Sequence, residues 1–196
     1  MPFAVMGKIL WVDLTHGEIY EETIADEIYQ RFLSGIGLAA YILYRDIPKG
    51  ADPLGPENIL AFVSGLLNGT NSFFTGRWMA AARSPLTGGW GEANCGGTLA
   101  PVIKRCGYDG IFFKGCSPKP VYLLISNGKA ELRDAGALWG KDTVETDHWL
   151  RAAHPGIACA CIGPAGERLS LISGISNDGG RMAARSGLGA VMGSKK

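Results

Sequence analysis

The glycine-rich end of the chain, Asp178–Lys196, constrains the fold more than any other stretch. It reads DGGRMAARSGLGAVMGSKK, so glycines alternate with small residues and with two arginines. Glycine lets a backbone turn tightly and approach a ligand closely, and arginine holds oxyanions through paired hydrogen bonds. The stretch therefore predicts a glycine-rich turn that leads into a helix of small residues, where backbone N–H groups can hold a phosphate.

Composition narrows the class of protein. The chain has 196 residues, is 46% hydrophobic and 19% charged, and spreads 29 glycines without a collagen-like period. These values are typical of a globular chain that buries a core, and the length suits either one large domain or two small ones. A net charge of +1 gives no basis for attraction to nucleic acid or to a membrane surface.

Cysteine use and hydropathy predict a cytoplasmic protein. The five cysteines are odd in number and irregularly spaced, which favours a reducing compartment over a disulfide framework. No CxxC pair occurs, so the chain offers no convincing zinc or iron–sulfur site. No apolar run approaches the roughly 20 residues of a membrane helix, and the first residues lack the pattern of a signal peptide.

Hydrophobic periodicity predicts an α+β fold. Hairpins are predicted at 7–23 and 121–133, the second with Asn127-Gly128 as a strong type I′ turn signal. Amphipathic spacing predicts helices, and short apolar runs predict strands. The predicted helices cover 26–34, 37–44, 99–106 and 143–153, and the strands cover 58–65, 78–84, 110–114, 157–163 and 169–173.

The order of these elements suggests an internal duplication. Each half has a hairpin, a helix, a strand and then a glycine-rich turn entering a helix, at Asn94–Gly97 and at Asp178–Arg181. The prediction is two related sheet-containing halves about a pseudo-twofold axis, with two equivalent anion sites at helix N-termini. Chance recurrence of strand, turn and helix in an α+β fold explains the same order equally well.

Two nucleotide-binding motifs fail on spacing. The run Gly187–Gly193 has three residues between its second and third glycines and lacks the strand and acidic residue of a dinucleotide fingerprint. Gly193-Ser-Lys has serine and lysine in the wrong order for a Walker loop. The glycine-rich end is therefore not interpreted as a nucleotide site.

The candidate ligand residues are arginines. Arg77 follows Gly76 among apolar residues, and it is either a structural ion-pair partner or an oxyanion ligand. Arg181 and Arg185 are spaced i and i+4 and would share one face of the predicted helix, either as a solvated edge or as an anion contact.

The cysteines and histidines are not predicted to form a reaction centre. His16, His148 and His154 lack the neighbours of a triad or metal site, and Cys159 and Cys161 are predicted core residues. Cys95 lies in a loop, but reactive-thiol chemistry needs a partner that the sequence does not identify. We predict no catalytic residue in the chain.

Several longer motifs carry a family resemblance. They run from Gly7-Lys-Ile-Leu-Trp-Val-Asp-Leu14 to the end of the chain, so they span nearly its whole length. The chain resembles the N-terminal domain of the aldehyde ferredoxin oxidoreductase family of tungsten enzymes. The most specific pieces are Ser84-Pro-Leu-Thr-Gly88, Ala93-Asn-Cys-Gly-Gly97, Gly107-Tyr-Asp-Gly110, Ile162-Gly-Pro-Ala-Gly-Glu167, Asn177-Asp178 and Gly189-Ala-Val-Met-Gly-Ser-Lys195.

The resemblance implies a cofactor and the residues that hold it. It implies that residues 1–196 form a single α+β domain. In the family a tungsten bis-pterin cofactor rests on this domain, and molybdenum is the alternative metal. A magnesium ion bridges the two pterin phosphates, and by motif position the backbone carbonyls of Asn94 and Met182 would bind it. The implied cofactor-binding residues are Arg77, Asn94, Cys95, Gly96, Gly97, Arg181, Met182, Ala184 and Arg185.

Two departures from the family pattern bear on this interpretation. The second loop typically reads Arg-Ala-Ala-Gly-Arg-Gly, whereas this chain has Arg181-Met-Ala-Ala-Arg-Ser186. A carbonyl contact survives that change, but close backbone approach at Ala184 becomes harder. Family members also continue into helical domains that carry a [4Fe–4S] cluster and the substrate pocket, so we expect this chain to be a fragment or a split subunit.

The implied activity belongs to a larger assembly. The complete enzyme would oxidise aldehydes to carboxylic acids and pass electrons to ferredoxin, and this chain alone is not expected to be active. Its partners would be the C-terminal domains or a companion subunit, and a homo-oligomer is compatible with the sequence. The alternatives are a relative that reduces aromatic acyl-CoA esters, and a non-catalytic module that binds phosphate or assists assembly.

Overall fold

The computed structural model describes residues 4–196 as a mixed α/β fold with three sheets. Eleven strands and six helices occur within these residues. The elements, in chain order, are β1 (Lys8–Asp13), β2 (Glu18–Thr23), α1 (Asp26–Phe32), α2 (Ile36–Asp46), β3 (Leu60–Ser64), β4 (Trp78–Arg83), β5 (Trp90–Cys95), α3 (Leu99–Arg105), β6 (Gly110–Lys114), β7 (Val121–Ser126), β8 (Lys129–Asp134), α4 (Thr143–Ala153), β9 (Ala160–Cys161), α5 (Pro164–Glu167), β10 (Ile175–Asn177), β11 (Arg181–Ala183) and α6 (Leu188–Lys195).

The main sheet has six strands in the order β2-β1-β6-β3-β4-β5. Only β1 and β6 run parallel, and the other pairs are antiparallel. Successive side chains of a strand point to opposite faces of a sheet. Strand β1 accordingly sends Ile9 and Trp11 into one core cluster and Leu10 and Val12 into another. Burial on both faces explains why the central strands are almost continuously apolar.

Helices cover both faces of this sheet. On one face α2 packs Leu38 and Ile42 against the core cluster that contains Ile9 and Val63. On the other face α3 and α6 contribute Ile103 and Leu188 to the second cluster. The β7–β8 hairpin also packs on this second face, and a cavity of about 440 Å³ lies among the hairpin, α3, α4 and the sheet. Strand β5 is left at the edge.

The helix at the chain end consists of small residues because it packs closely against the backbone of neighbouring segments. A Cβ atom on Gly189 would lie 2.8 Å from Ser173 Oγ, and one on Gly193 would overlap the carbonyl group of Gly166. Any larger side chain would force α6 away from α5 and from the 173–174 turn. Gly187 begins the helix in a left-handed conformation with φ of 67°. A terminal helix of small residues is thus confirmed at 188–195, but it begins later than predicted, since the prediction had it follow directly on Asp178–Arg181.

Most predicted elements are confirmed, and the exceptions are local. Helix 143–153 matches α4, and the 121–133 hairpin matches β7 and β8 around Asn127-Gly128. Residues 169–173 do not form the predicted strand, because they lie in turns. The predicted strand 157–163 is reduced to Ala160–Cys161, and β5 was not predicted.

The pseudo-twofold internal duplication is not confirmed. The first hairpin, β1–β2, joins the six-stranded sheet through β6, whereas the second hairpin, β7–β8, forms a two-stranded sheet of its own. The two glycine-rich turns also differ, since Asn94–Gly97 leads towards α3 but Asp178–Arg181 connects β10 to β11. The prediction that both turns enter helices was therefore wrong for the second.

Candidate functional site

The two glycine-rich turns meet at the edge of the main sheet. Strand β5 alternates strictly, so Asn94 faces outward while Cys95 is buried beneath it. The β10–β11 hairpin approaches this end of β5 through Asn177, which is 2% exposed. Cys95 Sγ donates to Asn177 Oδ1 at 3.0 Å, and Asn177 Nδ2 donates to the carbonyl oxygen of Gly96 at 3.3 Å. One buried amide thus joins both turns.

Asp178 makes a second connection between the turns. Its carboxylate accepts hydrogen bonds from the Thr98 backbone N–H and, at 2.8 Å, from Thr98 Oγ1. Arg151 of α4 donates to the same carboxylate at 3.2 Å. Burial raises the pKa of Asp178, but the hydrogen bonds from Thr98 and Arg151 outweigh burial and hold the pKa below its usual range. Asp178 is therefore a fixed carboxylate at neutral pH.

Arg77, directly before β4, and Arg181, in β11, both reach Gly96. A Cβ atom at Gly96 would lie 3.6 Å from Arg181 Nη1 and 4.0 Å from Arg77 Nη1. Both arginines are exposed. Arg77 donates through Nε, at 2.9 Å, and through a second guanidinium nitrogen to Asn94 Oδ1. Within residues 4–196 neither arginine forms an ion pair with a carboxylate. Their remaining N–H donors are available to an oxyanion.

The backbone at Gly97, next to Gly96, leaves no room for a side chain. Gly97 has φ of +123°, and a Cβ there would lie 2.7 Å from Asn177 Nδ2 and would collide with the Asp178 carboxylate. Gly96 and Gly97 are both half-buried. The turn is therefore tightly packed on its inner side against the β10–β11 hairpin, while the arginines occupy its outer side.

Cys95 is a packing residue below the turn. Burial raises the pKa of its thiol, and the nearby Arg77 and Arg181 guanidinium groups offset this only in part. The protonated thiol then serves as the donor to Asn177. A protonated, buried thiol is a poor nucleophile.

The remaining predicted residues lie on or after the adjoining strand. Met182 lies in β11, and the following Ala184 and Arg185 are also exposed, whereas Ala183 between them is buried. This segment runs beside β5, since Ser186 Oγ accepts from the Glu92 N–H and donates to the Glu92 carbonyl, both at 3.2 Å. The prediction that Arg181 and Arg185 share a helical face was wrong. Glycine and small-residue patterns did not distinguish a hairpin from a helix here.

The structure thus divides the predicted residues into two groups. One group surrounds the first glycine turn: Arg77, Asn94, Cys95, Gly96, Gly97 and Arg181. The second group, Met182, Ala184 and Arg185, continues along the neighbouring strand and loop. Which of these residues contact a cofactor remains a prediction, as does magnesium binding by the Asn94 and Met182 carbonyls. The described residues contain no cluster of three or more His, Cys, Asp or Glu side chains that could hold a metal ion.

Sequence reasoning assigned no site role to the residues that position the arginines. Asn68 Nδ2 donates to the Arg77 carbonyl at 2.8 Å, and its Oδ1 accepts from the Gly76 N–H. Asn68 therefore orients the Gly76–Arg77 turn much as Asn177 and Asp178 orient the other one. The only sequence signal for Asn177 and Asp178 was their place in a family motif, and Asn68 carried none beyond a formal glycosylation sequon.

Together, these features define a mixed α/β domain with a cationic, glycine-lined surface at the edge of its main sheet. A family model described as "Aldehyde ferredoxin oxidoreductase, N-terminal domain" matches residues 9–196. The chain belongs to this family, as its motifs predicted.

Curated relatives and a solved structure agree with this assignment. A tungsten-containing aldehyde ferredoxin oxidoreductase of Thermococcus kodakarensis is 43% identical over 97% of this chain, and one of Pyrococcus furiosus is 41% identical over 96%. The WOR-like subunit of an aliphatic sulfonate oxidoreductase from Pyrococcus furiosus is 33% identical over 98% of the chain. These matches cover 32%, 32% and 33% of the relatives, so the chain spans about a third of their length.

A solved structure also resembles this chain. It is a chain of the active site complex BamBC of benzoyl coenzyme A reductase in complex with 1,5-dienoyl-CoA. The TM-score is 0.95 with 38% sequence identity, and the match covers all of this chain and 30% of the neighbour. None of the helices formed by residues 4–196 is long and apolar enough to cross a membrane.

Proposed function

We propose that this chain is the part of an oxidoreductase that holds a tungsten bis-pterin cofactor at the edge of its main sheet. The observation that carries the proposal is the convergence of Arg77 and Arg181 on Gly96, without a carboxylate partner within residues 4–196. Unpaired guanidinium groups beside a glycine turn suit a phosphate-bearing ligand. The tungsten-containing relatives support tungsten as the metal, with molybdenum as the alternative.

The residues of this surface fit such a ligand. Arg77 and Arg181 would hold phosphate or pterin oxygens through their free N–H donors, and Gly96 would let the ligand lie close to the backbone. Cys95 and Gly97 would support that turn from below. Loaded with its metal, the cofactor would supply the two-electron redox chemistry, and the protein would supply orientation and hydrogen bonds.

The segment after Arg181 would extend the same surface. Met182, Ala184 and Arg185 are exposed next to the edge strand β5, where they would border the cofactor. The backbone carbonyls of Asn94 and Met182 are the proposed ligands of a magnesium ion, which prefers oxygen ligands and would neutralise paired phosphates. Ala184 carries a methyl group where the family pattern has glycine, so we expect its contact to be looser than that of Gly96.

The whole enzyme is proposed to oxidise aldehydes to carboxylic acids with ferredoxin as the electron acceptor. The curated relatives are about three times as long as this chain, so a [4Fe–4S] cluster, the substrate pocket and the ferredoxin surface would lie in further domains or in a companion subunit. A role in reducing aromatic acyl-CoA esters is the second candidate, favoured by the likeness to the benzoyl coenzyme A reductase complex. A non-catalytic phosphate-binding module is the third.

Metal and pterin content test the proposal directly. The complete enzyme would be purified anaerobically as wild type, Arg77→Ala and Arg181→Ala, and its tungsten, molybdenum and pterin measured. We expect each variant to lose most of its pterin and metal while its circular dichroism spectrum stays unchanged. Arg31→Ala on α1 is the matched control, since Arg31 is another exposed arginine and lies outside the site. Unchanged cofactor content in both site variants would contradict the assignment.

A further inference from the structure

We propose that Asp178 and Asn177 act together as a latch that positions the Arg77–Gly96–Arg181 surface for its ligand. The latch consists of these two side chains and the groups they bind on the facing turn: Cys95, Gly96 and Thr98. The inference rests on the proposed function of that surface as an oxyanion site. It assigns a positioning role to two residues that do not themselves contact the ligand.

The carboxylate of Asp178 ties three elements of the fold together. It accepts from the Thr98 N–H and Oγ1 directly before α3, and from Arg151 on α4. Arg151 is itself fixed, because it donates to Asp147 at 2.8 Å and to the Ile157 carbonyl at 2.9 Å. Asp178 therefore cannot shift without moving the start of α3 or breaking this chain of hydrogen bonds.

Asn177 places Arg181 relative to Gly96. Asn177 and Arg181 are directly opposite each other in the β10–β11 pair. The Asn177 side chain is buried and binds both Cys95 Sγ and the Gly96 carbonyl oxygen. The backbone that carries Arg181 is consequently held against the turn that Arg181 must reach. The distance from Arg181 to Gly96 is therefore set by the latch and not by the arginine side chain alone.

Asp178 can influence an anion in two ways that differ in sign. Its negative charge beside a cationic surface repels anions, so removing the charge alone would strengthen anion binding. Its hydrogen bonds hold the turn and hairpin in place, so removing them would weaken anion binding by leaving the donors misplaced. The latch predicts that the second effect dominates. The direction of the change therefore separates a positioning residue from a neighbouring charge.

Pyrophosphate is the probe for this test. Its affinity for the full chain, prepared without cofactor, would be measured by isothermal titration calorimetry for wild type, Asp178→Ala, Asp178→Asn and Thr98→Val. We expect Asp178→Ala to weaken binding about tenfold or more. Asp178→Asn should weaken it less, because the amide keeps one acceptor oxygen. Thr98→Val, which changes no charge, should weaken binding a few-fold. Tighter or unchanged binding in both Asp178 variants would overturn the latch.

Further measurements distinguish failure of the latch from failure of the proposed oxyanion site on which it rests. If wild type does not bind pyrophosphate, or if Arg77→Ala binds it as well as wild type does, the oxyanion site itself fails. Whether Asp178 holds the turn is then decided by amide hydrogen exchange at Thr98, whose N–H donates to Asp178, and we expect Asp178→Ala to accelerate it at least tenfold. Unaltered exchange there would refute it. Denaturant unfolding of each variant checks that lost binding does not reflect lost folding.

Discussion

At the residue scale, the site depends on glycines, which have no side chain, and on arginine N–H donors that have no carboxylate partner within residues 4–196. The guanidinium groups of Arg77 and Arg181 both lie within about 4 Å of the position that a Cβ would take at Gly96. Asn177 and Asp178 fill the space on the inner side of Gly97. Each residue type is thus required by its neighbours: glycine by close packing, and the buried amide and carboxylate by backbone groups that need partners.

The close packing around Gly97 predicts that a larger residue at this position will destabilise the fold. Gly97→Ala is expected to lower the free energy of unfolding by about 1–3 kcal/mol more than Gly180→Ala does, because the new methyl group would collide with Asn177 and Asp178. Gly180 has a similar φ of +131°, but a Cβ added there would meet nothing within 4 Å, so it controls for backbone strain. Urea unfolding of both variants measures the difference, and equal losses would argue against tight packing at Gly97.

At the element scale, helix ends and hairpin turns explain much of the local structure. Asp142 caps the N-terminus of helix α4: its side chain accepts from the Val144 and Glu145 N–H groups, while the Glu145 side chain accepts from the Asp142 N–H. This reciprocal arrangement is a capping box, and it sets the first residue of the helix. The β7–β8 turn places Asn127 and Gly128 at φ of 52° and 74°, as its sequence predicted.

The cap of α4 can be tested by one substitution. Asp142→Ala is expected to lower the free energy of unfolding by about 1 kcal/mol, because two backbone N–H groups lose their acceptor. Asp142→Ser keeps an acceptor oxygen and should retain most of the stability. Thermal unfolding followed by circular dichroism gives the comparison. A serine variant as unstable as the alanine variant would show that the cap contributes little.

A buried lysine of helix α6, Lys195, should make the stability of the fold depend on pH. Lys195 is 3% exposed and donates to the carbonyls of Asn58 and, at 3.1 Å, Gly115. Burial lowers the pKa of Lys195 to about 8 from an ordinary value of 10.5. Between these two values the unfolded chain binds a proton that the folded chain does not bind. The free energy of unfolding should therefore rise as pH increases from about 8 to above 10.5, by up to about 3 kcal/mol.

Lys195→Met removes the titrating group and should abolish this rise. Urea unfolding at pH 7, 8, 9 and 10 measures the slope in wild type and variant. Lys196→Met is the control, because Lys196 is the adjacent lysine and is exposed. If the slope persists in Lys195→Met but disappears in Lys196→Met, the pH dependence comes from Lys196 and the prediction is wrong.

At the scale of the whole molecule, a buried ion pair joins distant parts of the chain. Lys104 on α3 and Asp109 before β6 form a salt bridge, with side chains 3% and 0% exposed. Asp109 also accepts from the Tyr29 hydroxyl at 2.7 Å and from the Gly7 N–H at 3.0 Å. One carboxylate thus connects α3, α1 and the segment before β1, on the side of the sheet where β6 pairs with β1.

Breaking the Lys104–Asp109 ion pair should strongly destabilise the fold. Lys104→Met is expected to lower the free energy of unfolding by about 3–5 kcal/mol, because the Asp109 carboxylate stays buried without its cation. Tyr29→Phe removes one hydrogen bond to the same carboxylate and should cost about 1.5–3 kcal/mol. The double variant Lys104→Met, Asp109→Asn should recover part of the loss. Guanidinium unfolding measures all three, and a loss in Lys104→Met no greater than that in Tyr29→Phe would contradict this expectation.

The sequence alone predicted those elements whose structure depends on residues close together in the chain. The Asn127-Gly128 turn and the periodicity of 143–153 each depend on interactions within a few residues, so the pattern predicted the element. The glycine-rich family motifs likewise marked Arg77, Gly96 and Arg181 as ligand candidates, and the family assignment followed from them.

Only the tertiary structure decided how those candidates are arranged. Residues 178–186 form a hairpin turn, the strand β11 and a loop in place of a helix start, because β10 and β5 supply partners that local spacing does not reveal. Arg77 and Arg181 come together across roughly a hundred residues, held by Asn68, Asn177 and Asp178. Composition and short-range pattern identify glycine and arginine, but hydrogen bonds between distant segments determine which of them share a surface.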